Sequence, residues 1–156
     1  MAELAKPDLD RFLQETAIVA ILATIDEHGR PYMVPIWYEW DGTYCWIVSK
    51  PKADYVANLR RDPHASICVA TQSLPYVRVL IQGHVDLIET DQEWLPMGYR
   101  MGERYLGAEE GRAYIDGTKS WKRLFLRITP ERIRSWDGGA GGHAWGERYI
   151  DRAQKA

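Results

Sequence analysis

A chain of 156 residues, 46% of them hydrophobic, is long enough for one domain with a substantial core. Its net charge of −2 excludes a broad nucleic-acid or anionic-membrane footprint. It has no basic-then-apolar start like a secretory signal and no apolar run long enough to span a bilayer, so a cytoplasmic protein with no membrane partner is expected. Cys45 and Cys68 each sit in an apolar strand with no Cys or His at metal spacing, and read as reduced core residues. Seven Trp and nine Tyr against two Phe favour rings with a polar tip. Barrel packing accounts for such a bias, and so does an interface or pocket for a flat ligand.

In chain order, Lys6 to Thr16 carries Leu9, Phe12 and Leu13 at helical spacing behind Pro7-Asp8, which predicts a short amphipathic helix. Ala17 to Ile25 is almost continuously apolar, as in a strand covered on both faces. Asp26 to Arg30 is a hairpin connection with Gly29 available for positive φ. Pro31 to Trp40 alternates as a strand, and Pro35 means that one backbone edge of it lacks a normal ladder partner, either as an edge strand or at a bulge. Asp41-Gly42 is the next turn, and Tyr44 to Val48 is an aromatic, β-branched strand.

The residues that follow carry the chemistry. Pro51 suits the first position of a helix ending near Arg61, before Asp62-Pro63. Arg60 and Arg61 complement the C-terminal end of that helix, whereas Lys50 and Lys52 crowd its N-terminal end, where the dipole opposes cations. Two ammonium groups, the Ser49 hydroxyl and free backbone N–H groups at one helix start suit a phosphate. Lysines turned outward into water explain the same charges.

His64 to Thr71 and the long Tyr76 to Ile88 read as strands, the latter alternating apolar residues with Arg78, Gln82, His84 and Asp86. Thr90 to Tyr105 and Ala108 to Ile115 read as helices packed on the barrel. Trp121 to Trp136 closes the sheet with a break at Thr129-Pro130, and Asp137 to His143 is a glycine-rich flexible segment. Six or seven short-spaced strands with three or four helices predict a mainly β, antiparallel split barrel in one domain. There is no G-x-G-x-x-G, H-E-x-x-H or G-x-S-x-G, and Gly117-Thr-Lys-Ser120 has the wrong order for a phosphate loop. The four histidines lack the spacing of a metal or haem clamp.

Four segments together resemble the pyridoxamine 5'-phosphate oxidase-like superfamily of split-barrel flavin and deazaflavin-dependent oxidoreductases. They are Leu22-Ala-Thr-Ile-Asp-Glu-His-Gly-Arg-Pro-Tyr-Met-Val-Pro-Ile-Trp37 with Asp41-Gly42, Asn58-Leu-Arg-Arg-Asp-Pro-His-Ala-Ser-Ile67, Pro75-Tyr76, and Gln82-Gly-His-Val85. The resemblance implies a homodimer with two cofactor sites in its interface. It puts Val34, Pro35, Ile36 and Trp37 beside an isoalloxazine ring, and Val48, Ser49, Lys50, Lys52, Tyr55 and Asn58 at its phosphate. Gln82, and Trp145 and Arg148 near the C-terminus, are similar to residues that reach the flavin. Tyr55 stands where many relatives have Lys, which transfers that role to Lys50 or Lys52.

The expectation is therefore an FMN-binding oxidoreductase passing a hydride to or from a small organic substrate, with no residue marked as a catalytic acid or base. A reductase using the 8-hydroxy-5-deazaflavin coenzyme is the alternative within the class, and a non-catalytic flavin or haem carrier or sensor is the alternative outside it.

Overall fold

A computed structural model describes residues 3–138. In chain order the elements are α1 (Lys6–Glu15), β1 (Ala20–Ile25), β2 (Pro31–Ile36), β3 (Glu39–Trp40), β4 (Cys45–Ser49), α2 (Asp54–Arg61), β5 (His64–Ala70), β6 (Val77–Thr90), α3 (Leu95–Leu106), α4 (Ala108–Thr118) and β7 (Arg123–Asp137). Every strand pairing is antiparallel. The strands form one sheet in the order β2-β1-β5-β6-β7-β4-β3.

The two edge strands, β2 and β3, are consecutive in the chain, so the backbone crosses from one edge to the other through Trp37 and Tyr38. That crossing wraps the sheet around a single core while leaving it unclosed, as in a split barrel. Leu22, Ile47, Ile67, Ile81, Leu126 and Ile128 from five strands meet in this core. Tyr38 lies wholly inside it, and its hydroxyl donates to the Leu13 carbonyl at 3.0 Å. Burial raises the Tyr38 pKa and keeps the phenol neutral.

The two early turns follow their sequence. Asp26 accepts hydrogen bonds from the His28 and Arg30 N–H groups, both at 2.8 Å, and Gly29 takes a φ of 76° that a side chain would resist. Asp41 accepts from Thr43 and Tyr44 N–H at 2.8 and 2.7 Å and from the Trp46 indole at 2.7 Å.

Four expectations are corrected. First, β1 is covered on one face only: Ile21 and Ile25 are 40% and 38% exposed on the other. Second, α2 begins at Asp54 rather than Pro51, with Ala53 in extended backbone as its N-cap. The Ala53 N–H closes a turn onto the Lys50 carbonyl at 3.2 Å, and Pro51 occupies the second position of that turn, where its fixed φ is equally suitable.

Third, Thr129-Pro130 does not interrupt β7: the two residues pair with His84 and Gly83, and the bulge falls at the next residue, Glu131, where the register shifts between Gln82 and Gly83, a neighbourhood that tolerates the missing N–H of proline. A Cβ on Gly83 would lie 2.0 Å from the Thr129 carbonyl oxygen, so the backbone approach there admits only glycine. Fourth, α3 starts at Leu95, and α3 and α4 pack chiefly on each other. Their Trp94, Met101 and Ile115 are buried yet lie outside the barrel core, and Gly102 meets Gly111 backbone to backbone.

Candidate functional site

Pro35 faces the open side of the edge strand β2, opposite Ile21 of β1. A proline cannot donate to a ladder, so the backbone row it shares with Met33 is the one turned away from β1. Val34 and Ile36, one residue to either side, pack inward against the core. Their side chains thus serve the core and their backbone groups face β1, so the open edge is left to Met33 and Pro35. Trp37 follows the end of the strand and lies flat on Tyr105 of α3, ring centroids 5.0 Å apart and planes within 9°, with Tyr114 of α4 edge-on at 5.6 Å.

The start of α2 lacks a side-chain cap, because Ala53 stands at the cap position. The first backbone bonds of this turn run from Val56 and Ala57 N–H to the Ala53 carbonyl, at 2.9 and 3.2 Å. The N–H groups of Asp54 and Tyr55 have no partner among the described residues. An uncapped helix start concentrates partial positive charge and free donors. Lys50 and Lys52 are both exposed beside it, with Lys50 resting over the Trp121 ring at 4.9 Å. Lys52 forms no ion pair among the described residues.

One contact ties this corner to the edge strand. The Tyr32 hydroxyl of β2 donates to the Asp54 carboxylate of α2 at 3.3 Å. Burial and then the Asp54 charge raise the Tyr32 pKa, keeping that phenol protonated. A cleft of about 390 Å3 opens beside this contact, lined by Tyr32, Asp54, Ala57, Asn58, Arg61 and the Asp26–Arg30 turn. Sequence reasoning treated Tyr32 as one more alternating strand residue, and no spacing rule joins it to a residue 22 positions away.

Other residues expected at the site have structural partners. Val48 is half-buried opposite Phe125. Ser49 is 1% exposed, and its hydroxyl donates to that of Tyr55 at 2.8 Å and lies 3.2 Å from the Lys50 carbonyl oxygen. Asn58 is buried and donates to the Thr24 hydroxyl at 3.1 Å, fixing α2 on β1. Gln82 donates to Ser66 at 3.2 Å just before the point where β6 meets the β7 bulge. Lys50, Lys52 and the α2 start thus come together, while Ser49, Tyr55 and Asn58 sit beneath them as support. Trp145 and Arg148, with most of the glycine-rich segment, lie outside the described residues. Among the described residues no group of three or more His, Cys, Asp or Glu is arranged to hold a metal, and no helix is long and apolar enough to cross a membrane.

An open antiparallel barrel with an uncapped, lysine-flanked helix start beside its edge strand defines a split-barrel protein. The chain belongs to the pyridoxamine 5'-phosphate oxidase family, whose model matches residues 5–137. Comparison with curated proteins gives no match. Among solved structures it is similar to a conserved hypothetical protein from Mycobacterium tuberculosis, with 28% identity, a TM-score of 0.74, and coverage of 87% of this chain and 86% of that one. An F420 reductase shares 19% identity over 79% of this chain and 94% of its own, with a TM-score of 0.62. A haem storage protein from Vibrio cholerae shares 24% identity over 81% and 91%, with a TM-score of 0.63. At these identities the last two speak for the fold.

Proposed function

We propose that the chain works as a homodimeric oxidoreductase that binds FMN and passes a hydride to or from a small organic substrate. The observation that carries this reading is the α2 start: unpartnered Asp54 and Tyr55 N–H groups flanked by the exposed ammonium groups of Lys50 and Lys52. Donors and cations arranged this way suit a phosphate dianion. Asp54 opposes that charge, but Tyr32 donates to its carboxylate and offsets part of the repulsion.

When bound, the flavin supplies the hydride chemistry. The chain's own share is position and environment. Lys50 and Lys52 anchor the phosphate end. The outward backbone row of β2 at Met33 and Pro35, with the Gln82 amide of β6, would hold the ring. Trp37, held flat by Tyr105, forms a rigid wall that limits water near the reacting face.

The dimer rests on the uncovered face of β1 and β2. Val19, Ile21, Ile25 and Met33 are 42%, 40%, 38% and 66% exposed there, an apolar area that a second copy would remove from water.

Absorbance and mass spectrometry of whatever co-purifies with the protein test the proposal. FMN bands and the FMN mass are expected. A colourless protein that takes up reduced 8-hydroxy-5-deazaflavin coenzyme overturns FMN in favour of the deazaflavin, and a haem band favours a carrier.

A further inference from the structure

A second cleft, of about 290 Å3, lies between α1, β3 and α3 and is lined by Gln14, Glu39, Trp40, Arg100, Met101 and Arg104. Its charges do not cancel. Glu39 is fully used by Arg100, which donates from Nε to both carboxylate oxygens at 3.1 Å and from Nη2 to one of them at 2.6 Å. The Trp40 indole N–H is likewise committed, donating to Asp10 at 2.7 Å.

Arg104 has no such partner. Its guanidinium is packed over the rings of Tyr38 and Tyr105, at 4.7 and 4.9 Å. Among the described residues it makes one hydrogen bond, from Nη2 to the Tyr105 hydroxyl at 2.9 Å, and its buried Nε finds no acceptor. No carboxylate among the described residues lies within ion-pair distance of it. Tyr38 and Cys45 behind it are held neutral by burial and offer no counter-charge. A half-buried guanidinium that lines an open cleft, its charge unpaired among the described residues and its Nε sealed beneath without an acceptor, lacks the counter-charge that its chemistry requires.

We propose that this cleft binds a small carboxylate at Arg104. A carboxylate brings one negative charge to a cleft whose residual charge is one positive, and its two coplanar oxygens match the edge of a guanidinium. Trp40 and Met101 supply apolar wall for a short hydrocarbon tail, and the volume limits the ligand to a few carbon atoms. A phosphate dianion would leave one charge unmatched. The cleft lies on α1, β3 and α3 and the inference does not depend on flavin binding at β2 and α2.

Proton–nitrogen NMR of the arginine Nε–H groups tests it on the whole protein, with the Arg104 resonance assigned by its loss in Arg104→Lys, or by sequential assignment if that variant does not fold. Sodium acetate and sodium succinate, titrated at constant ionic strength, are expected to shift that resonance saturably, with chloride giving no shift and inorganic phosphate binding more weakly. Gln14→Glu, on the exposed face of α1, places a competing carboxylate at the cleft and is expected to weaken acetate binding roughly tenfold or more. Absence of a saturable shift, or acetate affinity unchanged in Gln14→Glu, overturns the site. Phosphate binding as tightly as acetate overturns the assignment to a carboxylate.

Discussion

Trp37 and Tyr105 lie face to face, 68 positions apart in sequence, with ring planes 9° from parallel. The contact joins the chain segment that crosses the barrel seam to the helical pair α3–α4. Tyr105 also reaches the barrel backbone, its hydroxyl donating to the Ile18 carbonyl at 3.2 Å. Trp37 thus owes its orientation to a helix outside the barrel core.

Replacing Tyr105 should loosen that link in two separable steps. Tyr105→Phe keeps the stack and loses the hydroxyl, at a cost of about 1 kcal/mol in urea unfolding. Tyr105→Ala loses the ring as well and should cost about 2–4 kcal/mol. Equal losses for the two variants would mean that the stack contributes nothing.

The α3–α4 pair depends on backbone contact between glycines. A Cβ on Gly111 would lie 2.2 Å from the Gly102 carbonyl carbon, so Gly111→Ala must part the helices and should destabilise by about 1–3 kcal/mol. Gly117 in the same helix has nothing within 4 Å of the added atom, and Gly117→Ala should stabilise by about 0.5–1 kcal/mol. Thermal melts of the two variants should shift in opposite directions.

Asp41 gives the fold an acid-sensitive turn. Burial raises its pKa, but hydrogen bonds from Tyr44, Trp46 and Thr43 outweigh that effect and leave it below the usual carboxylate value. A folded pKa below the unfolded one stabilises at pH values above the unfolded pKa, near 4, and the contribution fades as pH falls through the folded value. The stability gap between wild type and Asp41→Ala should therefore be constant near neutral pH and narrow below about pH 4. A gap that widens in acid would reverse the sign.

A charge on the uncovered face of β1 should separate the proposed dimer. Ile21→Glu replaces a 40% exposed side chain, so folding of one protomer should change little. Sedimentation velocity should report a dimer for wild type and a monomer for the variant. A wild-type monomer would remove the dimer from the account.

Much of the architecture was legible because local chemistry and global fold agree. The carboxylates of Asp26 and Asp41 announce their turns, Pro35 sits on an edge strand, and alternation gives the core face of β2 and β6. Pro51 misled because the same fixed φ serves a helix start and a turn, and only the Lys50–Ala53 hydrogen bond distinguishes them. Thr129-Pro130 misled because whether a proline ends a strand or sits beside a bulge depends on the partner strand, here on Gly83. At the site, the lysines were visible as charges at odds with a helix dipole. The Tyr32–Asp54 tie and the solitary charge of Arg104 arise only when distant segments meet.

The most direct test is the affinity for FMN of wild type against the Lys50→Glu, Lys52→Glu double variant, measured by flavin fluorescence quenching at low ionic strength. Saturable binding by wild type and a loss of roughly hundredfold or more in the variant are predicted, since two attractive charges on a phosphate become repulsive. Equal affinity in the two proteins, or none in either, would contradict a phosphate held at the start of α2.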